Sequence, residues 1–534
     1  MANKKEIMHC RKLALYLKTG FAIAVVNLIL TGSLWASQEQ TLYSFGSAPD
    51  GNYPASSLVF DLSGNLYGTT LQGGTFGVGM LFKLTPGNGQ WTETVLYNFC
   101  QQSGCTDGST PYGQLTFDST GNLYGTTYQG GTYGYGVAFQ LTRHPDGTWT
   151  ETVLHNFGNG TDGAGPLAGM IFDKVGNLYG TTSTGGTSGS NCFAGCGTVF
   201  ELTPGNNGQW TETVLYNFCS QANCADGNSL TAGLVLDTSG NLYGTTAFGG
   251  GTPNNGVVFE LSPGGGGQWT QQVLHTFAGG ADGYNSHASL ALNGGNLYGT
   301  TVFGGVNGNN GTVFELNHLN GQWQEQVLYS FCSQFECTDG SSPLAEVTFD
   351  KSGNLYGTTD SGGASQSGVV FELTKPTNGH RAEVGLYSFT GAQDGFNPHA
   401  GLVLDKNGNL YGVTFQGGTG GYGVAFRITP PNFKIATAPT KATVSPGGST
   451  SSTLTISPVA GFTGTVALTC TVPSGKGLTC GVSPNSVTLN GTNSATATLS
   501  VSTSPSTPAG TYKIKATGSS GTLHHSTAFT LTVL

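Results

Sequence analysis

A five-residue motif, GNLYG, recurs seven times along the chain and divides most of it into similar units. The copies begin at Gly64, Gly121, Gly176, Gly240, Gly295, Gly353 and Gly408, at spacings of 55 to 64 residues. A period of this length indicates an array of small structural repeats, none of which can bury its apolar face alone. The repeat therefore constrains the fold more than any other feature of the sequence.

A second motif, L-Y/H-x-F, is offset from the first. It also occurs seven times, but it starts at Leu42, before the first GNLYG, and its last copy, at Leu386, precedes the last GNLYG. Such an offset is expected when the first strand of the chain completes the last repeat, because a closed ring leaves no free sheet edge. The sequence therefore predicts a ring closed by its own N-terminal strand.

The second unit shows what one repeat contains. Segments 114–118, 123–127, 136–142 and 149–157 alternate apolar with polar residues and are separated by turns. Four short antiparallel strands per unit are typical of a propeller blade. The seventh unit has three such segments before Pro430, and residues 41–45 supply the fourth.

These patterns predict an all-β chain with a seven-bladed β-propeller over residues 37–430, closed by an N-terminal strand. A parallel β-helix or open solenoid is the alternative, although its coils need no offset between the motifs. From residue 431 the composition changes to threonine, serine, valine and proline, with about seven short alternating segments. Residues 431–534 resemble bacterial immunoglobulin-like (Ig-like) modules, which implies a β-sandwich.

Residues 1–36 have the composition of a secretory signal peptide. Five basic residues precede an uncharged apolar run from Phe21 to Trp35, and cleavage is expected after Ala36. An uncleaved anchor is the alternative, but the run is short for a span of about 20 residues. Removal of this segment takes away five basic residues and one acidic residue, which changes the net charge from -10 to -14. An acidic chain argues against nucleic acid as a partner.

The ten cysteines of the mature chain fall into close pairs, as expected of disulfides in an exported protein. Zinc is the competing interpretation, but the spacings are not those of zinc ligands and no histidine accompanies a pair. The predicted disulfides are Cys100 with Cys105, Cys192 with Cys196, Cys219 with Cys224, Cys332 with Cys337, and Cys470 with Cys480.

The aromatic residues of the repeats are interpreted as packing residues. Each tryptophan of the mature chain stands five residues before the leucine of L-Y/H-x-F, a regularity typical of contacts between blades. His155 and His275 replace the tyrosine of that motif and are also expected to be structural. The tryptophans are Trp91, Trp149, Trp210, Trp269 and Trp323.

The repeat resembles the Gloeo/Verruco (GloVer) tandem-repeat family of exported bacterial proteins. The motif GNLYGTT, the Gly-Gly pair that follows it and the strand V/A-F-E/Q/K/R-L/I carry the likeness over residues 41–429. The resemblance implies a secreted or surface-bound propeller and brings no agreed activity. Function has to be argued from the site.

Two loops of each repeat are expected on one face of the propeller and form the predicted ligand face. One contains an Asp-Gly pair and the other the Gly-Gly pair, and four of the five predicted disulfides lie in them. Asp-Gly is also a common turn, so a structural role for the aspartates is the simpler interpretation. The aspartates are Asp50, Asp107, Asp162, Asp226, Asp282, Asp339 and Asp394.

Catalysis would require residues that break the repeat. His287 and His399 stand five residues after their Asp-Gly aspartates, and Glu346 is an acid in a first strand where other units have small or polar residues. These three are weak catalytic candidates near the mouth of a central channel. The sequence contains no recognised nucleophile, metal or phosphate motif, so no cofactor and no metal are expected.

The favoured hypothesis is an exported, non-enzymatic binding protein, expected to be monomeric, whose partner is an extracellular glycan, polymer or protein. The alternative is a carbohydrate-active or lactone-cleaving enzyme with its site at the channel mouth. No membrane span is expected after signal cleavage.

The first prediction concerns the mature N-terminus. Secreted protein should begin at Ser37, because the apolar run ends at Trp35 and small residues follow. N-terminal sequencing of protein from the culture medium and the cell surface checks this. Recovery of the chain only in the membrane fraction, with residues 1–36 attached, would support the anchor instead.

Overall fold

The computed structural model describes residues 37–87, 90–187, 192, 195–376, 381–521 and 523–534. The predicted signal peptide lies outside these described residues. The described part of the chain contains β-strands and short 3₁₀ turns but no α-helix, so the all-β prediction is confirmed. Within it, no helix is long and apolar enough to cross a membrane.

Residues 38–429 form seven antiparallel sheets, which we number in chain order. The first contains β2 (Gly51–Pro54), β3 (Val59–Phe60), β4 (Leu66–Gly73), β5 (Met80–Pro86) and β6 (Trp91–Asn98). The second contains β7 (Thr116–Phe117), β8 (Leu123–Thr127), β9 (Val137–Arg143) and β10 (Trp149–Asn156). The third contains β11 (Ile171–Phe172), β12 (Leu178–Thr182), β13 (Thr198–Pro204) and β14 (Trp210–Asn217).

The remaining four sheets repeat this order. The fourth contains β15 (Val235–Leu236), β16 (Leu242–Thr245), β17 (Val257–Pro263) and β18 (Trp269–Thr276). The fifth contains β19 (Ala291–Asn293), β20 (Asn296–Thr301), β21 (Thr312–Leu319) and β22 (Gln322–Ser330). The sixth contains β23 (Thr348–Phe349), β24 (Leu355–Thr359), β25 (Val369–Leu373) and β26 (Glu383–Ser388). The seventh contains β27 (Val403–Leu404), β28 (Leu410–Thr414), β29 (Val424–Thr429) and β1 (Gln38–Ser44).

The N-terminal strand pairs with the seventh unit, as the offset between the two motifs predicts. β1 runs antiparallel to β29, with Gln38 opposite Thr429 and Ser44 opposite Val424. It therefore occupies the position that β26 and the other fourth strands hold in their own sheets.

Adjacent sheets are joined by contacts between buried phenylalanine rings. In each pair, the phenylalanine of L-Y/H-x-F in one sheet meets the phenylalanine of the third strand in the next, with ring centroids 4.8 to 5.3 Å apart. Edge-on contacts of this kind add to the stability gained from area burial. The pairs are Phe45 with Phe82, Phe99 with Phe139, Phe157 with Phe200, Phe218 with Phe259, Phe277 with Phe314, Phe331 with Phe371, and Phe389 with Phe426.

The tryptophans pack between sheets, as the sequence predicts. Each meets the GNLYG tyrosine of the preceding sheet at a centroid distance of 6.0 to 6.4 Å. In the sixth sheet Arg381 takes the same position, with its guanidinium carbon 6.0 Å from the ring centroid of Tyr298. The tryptophans therefore cover part of the neighbouring sheet.

The first strands are shorter than the sequence predicts. The predicted segment 114–118 contributes only Thr116–Phe117 to the ladder. The residues before it approach another unit's first strand so closely that a Cβ atom on Gly169 would lie 2.2 Å from the carbonyl oxygen of Gln114. The residues just before Thr116 therefore contact the backbone of another unit and do not pair with β8 of their own sheet.

Residues 432–533 form two further sheets around one core. One sheet contains β30 (Asn432–Ala438), β32 (Ser449–Val459), β36 (Ala495–Thr503) and β34 (Leu478–Ser483). The other contains β31 (Lys441–Val444), β38 (Leu523–Val533), β37 (Gly510–Ser520), β33 (Thr463–Thr471) and β35 (Ser486–Asn490). The core includes Leu454 and Leu499 from the first sheet and Val466 and Ile514 from the second.

The second prediction tests whether β1 stabilises the fold as much as the other fourth strands do. Deletion of residues 37–46 should cause aggregation or a large fall in melting temperature, because it exposes β29 as a sheet edge. A milder variant, Phe45→Ala, should cost about 3–5 kcal/mol of unfolding free energy by cavity formation. The matched variant Phe389→Ala, at the same position of the sixth sheet, should cost a similar amount in urea denaturation. A deletion variant that stays monomeric and equally stable would contradict this assignment.

Candidate functional site

A cavity of about 650 Å³ is lined by residues at or just before the first strand of every sheet from the first to the seventh. Much of its wall consists of alanine, glycine and leucine. His287, Glu346 and His399, the three catalytic candidates from the sequence, all line it. A mostly apolar wall with a few polar groups is typical of a ligand pocket.

His287 is held by hydrogen bonds at both ring nitrogens. Its Nδ1 lies 3.0 Å from Oγ1 of Thr231, and its Nε2 lies 2.9 Å from Oδ1 of Asn285. The amide of Asn285 donates to the carbonyl of Ala247, so its Oδ1 is the acceptor and Nε2 of His287 carries the hydrogen. Burial lowers the pKa of His287, which favours this neutral tautomer.

His399 has a different environment. Its Nε2 lies 2.7 Å from Oδ1 of Asp360, and its ring stacks on Phe415 at a centroid distance of 4.6 Å. Within the described residues no hydrogen bond is made by Nδ1. The ring therefore contacts a carboxylate on one edge and an aromatic ring on one face.

Glu346 is bound to the first sheet by a serine. Oγ of Ser57 donates to Oε1 of Glu346 at 3.0 Å and accepts the backbone N–H of Gly401 at 2.9 Å. Burial raises the pKa of Glu346, and the Ser57 hydrogen bond offsets only part of this effect. The surroundings of Glu346 therefore favour its neutral form more than water does.

The structure brings the three candidates to one cavity without joining them. His287, Glu346 and His399 each have a separate partner, and in the described part of the chain none is hydrogen-bonded to another. The sequence did not indicate Asp360 or Ser57, because both partners come from other units. Only the three-dimensional arrangement reveals these pairs.

The Asp-Gly aspartates hold their own loops in place. In every unit the carboxylate accepts a hydrogen bond from the tyrosine or histidine of L-Y/H-x-F, at 2.6 to 3.0 Å. It also accepts backbone N–H groups of the loop, such as Gln101 on Asp107 and Ser220 on Asp226. His155 and His275 make this same contact, which agrees with their predicted structural role.

The Asp-Gly and Gly-Gly loops lie side by side in every unit and together form what we call the loop face. Residues of the two loops are joined by β-bridges such as Ser109 with Gln129, and in the first unit by the pairing of β2 with β4. Three disulfides close Asp-Gly loops and a fourth, Cys192 with Cys196, lies in a Gly-Gly loop. Both loops of a unit are thus tied to each other.

All five predicted cysteine pairs are disulfides. The fifth, Cys470 with Cys480, joins β33 to β34, which belong to different sheets of the C-terminal region. Sulfurs of Cys192, Cys196, Cys219 and Cys224 cluster within 4.8 Å, but they belong to two disulfides. The cluster therefore offers no thiolate for the alternative zinc site.

The loop face also carries the exposed aromatic side chains. Every exposed tyrosine and phenylalanine within the described residues lies in an Asp-Gly or Gly-Gly loop. Other turns join the first strand to the second and the third strand to the fourth. Their exposed large apolar residues, such as Leu62 and Val175, are aliphatic. Exposed aromatic residues are enriched at binding interfaces. They are Phe76, Tyr128, Tyr133, Tyr135, Phe248 and Phe335.

Comparison with known proteins identifies one family. The sequence profile of the Gloeobacter/Verrucomicrobia repeat matches residues 30–194, 189–426 and 324–466. No curated protein matches the chain.

Three solved structures illustrate the range of distant likenesses. The catalytic domain of a Coprinopsis cinerea GH62 α-L-arabinofuranosidase is 12% identical over 54% of this chain and 95% of that chain, with a TM-score of 0.29. An engineered GH43 glycoside hydrolase is 12% identical over 93% of each chain, also with a TM-score of 0.29. Domains 4 and 5 of the S-layer protein SbsC are 14% identical over 32% of this chain and 66% of that chain, with a TM-score of 0.15. Likenesses at these scores carry no conclusion about this chain.

The third prediction concerns the role of the Asp-Gly aspartates. Asp226→Ala should lower the unfolding free energy by about 1–3 kcal/mol, because it leaves the half-buried Tyr216 hydroxyl and the Ser220 N–H without their buried acceptor. Urea denaturation measures the change. Asp146→Ala, at an exposed turn aspartate, is the control and should have a much smaller effect. Equal stability of both variants would show that the buried aspartate is not structural.

Proposed function

The chain belongs to the Gloeobacter/Verrucomicrobia repeat family, and we propose that it is an exported, non-enzymatic binding protein. Its partner is a glycan, another polymer or a protein, bound at the loop face. The observation that carries this proposal is the restriction of exposed aromatic side chains to that face.

The proposed scaffold is a seven-bladed propeller over residues 37–430, closed by β1 and followed by an Ig-like β-sandwich over 431–534. Seven sheets of the same order, the β1 and β29 pairing and the cavity lined from all seven sheets support it. The Phe45 and Phe82 contact supports closure, since it joins the seventh sheet to the first. The two sheets around one core support the sandwich.

The loop face is suited to binding because its loops are ordered before a ligand arrives. Asp226 holds one Asp-Gly loop through Tyr216 and Ser220, and the disulfide of Cys219 and Cys224 closes the same loop. Ordered loops lose less conformational entropy on binding, so more of the contact energy appears as affinity.

Among the three ligand classes the exposed side chains favour a glycan. Tyrosine presents an apolar ring face and a polar hydroxyl, which suits a ligand with both C–H faces and hydroxyl groups. Gly158 and Gly165 leave room for the rings of Tyr135 and Tyr128, since a Cβ atom on either glycine would lie within 2.8 Å of the ring. An acidic chain with few charged residues also suits an uncharged partner better than an anionic one.

We place the mature chain outside the cell, as a secreted or surface-bound monomer. Five short-range disulfides support an oxidising compartment, in agreement with the signal-like composition of residues 1–36.

A carbohydrate-active or lactone-cleaving enzyme is the second candidate function. The contact of His399 with Asp360 favours it, because it leaves Nδ1 of an oriented imidazole as a base beside the cavity. Glu346, whose pKa is raised by burial, would act as the acid. Hydrolysis of a bound glycan that is abolished in both His399→Gln and Glu346→Gln would support this function over simple binding.

The fourth prediction tests the loop face with a glycan array and polysaccharide pull-down on the mature protein. Phe76→Ser, Tyr133→Ser and Phe335→Ser should each weaken a discovered glycan about 10-fold or more, the effect expected of an interface aromatic residue. The protein should fold normally because these side chains are exposed.

The matched controls are Leu62→Ser and Val175→Ser, which remove exposed apolar side chains away from the loop face. They should leave glycan binding unchanged. Loss of binding in the controls with no effect of the loop variants would place the site elsewhere. Full binding by every variant would show that exposed aromatic residues do not form it.

A further inference from the structure

A glutamate on the fourth strand of six sheets interacts electrostatically with the Asp-Gly aspartate held by the preceding fourth strand, and in the fifth sheet carboxylate oxygens of the two acids lie within 4.8 Å of each other. It stands two residues after the tryptophan in four sheets and after Arg381 or Ser37, at the equivalent position, in the sixth and seventh, and its negative charge and that of the aspartate would repel. We call these six the junction carboxyl pairs. They are Glu39 with Asp394, Glu93 with Asp50, Glu151 with Asp107, Glu212 with Asp162, Glu325 with Asp282, and Glu383 with Asp339.

The two acids of a pair have different hydrogen-bond environments. The aspartate accepts a side-chain donor and backbone N–H groups, as Asp107 does from Tyr97 and Gln101. The glutamate has one oxygen that is buried and has no hydrogen-bond partner in five of the six pairs. These oxygens are Oε1 of Glu93, Glu151, Glu212, Glu325 and Glu383.

A buried carboxylate oxygen without a donor is unfavourable, whereas a carboxylic acid can itself donate. In the fifth pair, one carboxylate oxygen of Asp282, one of Glu325 and one ring nitrogen of His275 all lie within 4.8 Å of one another. A proton carried by the glutamate would therefore have the aspartate carboxylate as an acceptor close by. It would also remove the repulsion between the two negative charges.

Few other charged groups face these glutamates. Within its own sheet each glutamate lies opposite a buried leucine or isoleucine, for example Glu93 opposite Leu84 and Glu39 opposite Ile428. From the preceding fourth strand the tyrosine or histidine that binds the aspartate faces the pair, and His275 does so at Glu325. Nε2 of Gln334 lies 3.4 Å from Oε2 of Glu383, and Oγ1 of Thr41 donates to Oε1 of Glu39.

The seventh junction gives an independent observation. Here Gln271 takes the place of the glutamate beside Asp226, and its Nε2 donates to the backbone carbonyl of Asp226 at 3.4 Å. Glutamine has nearly the shape of a protonated glutamate and carries a donor in the same position. The junction therefore accepts a neutral, donating side chain at this site.

We propose that each junction carboxyl pair holds one shared proton at neutral pH, carried by the glutamate and donated to the aspartate, so that adjacent sheets and their Asp-Gly loops are bound more tightly in acid than in alkali. The aspartate links the proton to the loop face, because the same carboxylate holds the backbone of the loop. This inference does not depend on the proposed binding function.

The direction of the pH dependence follows from the environment. Burial first, and then the neighbouring aspartate, raises the pKa of Glu93 to about 7 and that of Glu151 to about 8, from an ordinary value of 4.5. An acid with a raised pKa in the folded state costs no stability below its unfolded pKa. It destabilises the fold progressively between that pH and the folded pKa, and the loss levels off above it.

Two buried histidines act in the opposite direction. Burial lowers the pKa of His155 and of His287, so their contribution to stability is lost as the pH falls below 6.5. The six glutamates outnumber these two histidines, so we expect the stability of the mature protein to be greatest near pH 5 and to fall towards pH 8.

The experiment compares glutamine and glutamate at the junctions of the full mature chain. Melting temperature is measured from pH 5 to pH 9 for the protein and for Glu151→Gln, Glu383→Gln and Gln271→Glu. Relative to the unaltered protein, the first two variants should be more stable at pH 8 than at pH 5. For each pair removed, the folding equilibrium constant should gain up to tenfold per pH unit. Gln271→Glu adds a seventh pair and should lose stability at pH 8 but not at pH 5. The control is Glu336→Gln, an exposed loop residue, which should shift neither profile.

A second measurement on the unaltered protein covers the case in which a variant fails to fold. Carbon-13 NMR of labelled glutamate should show that the six junction carboxyl groups titrate near neutral pH, in addition to Glu372, whose pKa burial raises to about 7, and Glu346, whose pKa burial also raises. A flat melting profile from pH 6 to pH 8, or glutamate carboxyls that all titrate near their ordinary pKa, would overturn the proposal. Stabilisation at pH 8 by calcium ions that is lost in Glu151→Gln would also overturn it, because the pairs would then be cation sites.

Discussion

The contact between adjacent sheets is the interaction on which the rest of the structure depends. A four-stranded sheet of this size cannot enclose a core of its own, so both of its faces must be covered by neighbours. The phenylalanine pairs provide that cover at seven junctions. Phe45, near the N-terminus, contacts Phe82 in the same way as the other six pairs contact each other. The tryptophans and the GNLYG tyrosines extend the same contact outward, and Arg381 replaces a tryptophan without loss of the ring contact.

Much of the fold could be predicted because each local sequence pattern occurs seven times, once in each unit. The position of β1 followed from the offset between two motifs, and the cysteine pairs followed from their spacing. The length of the first strands could not be predicted, since it depends on how closely Gly169 approaches Gln114 in another unit. For the same reason the sequence placed His399 and Glu346 near a channel but could not reveal Asp360 or Ser57 beside them.

Repetition also separates structural from functional residues. The Asp-Gly aspartates recur in all units because each holds its loop, and burial of Asp107 and Asp226 leaves them little contact with solvent. Side chains that differ between units are the ones free to serve a ligand, and these include Tyr133, Phe335 and His399. A scaffold that repeats its stabilising contacts can vary its loop face without altering the junctions beneath it.

The junctions place two carboxyl groups side by side at six positions, an arrangement that would be costly if both were charged. It is tolerated because hydrogen-bond donors are distributed unequally, with several directed at the aspartate and none at the buried oxygen in most of the glutamates. Unequal environments separate the proton affinities of neighbouring acids, so that one remains charged and the other neutral. The backbone of each Asp-Gly loop supplies part of that inequality. The order of the loop face and the protonation of the junction are therefore two consequences of the same set of hydrogen bonds.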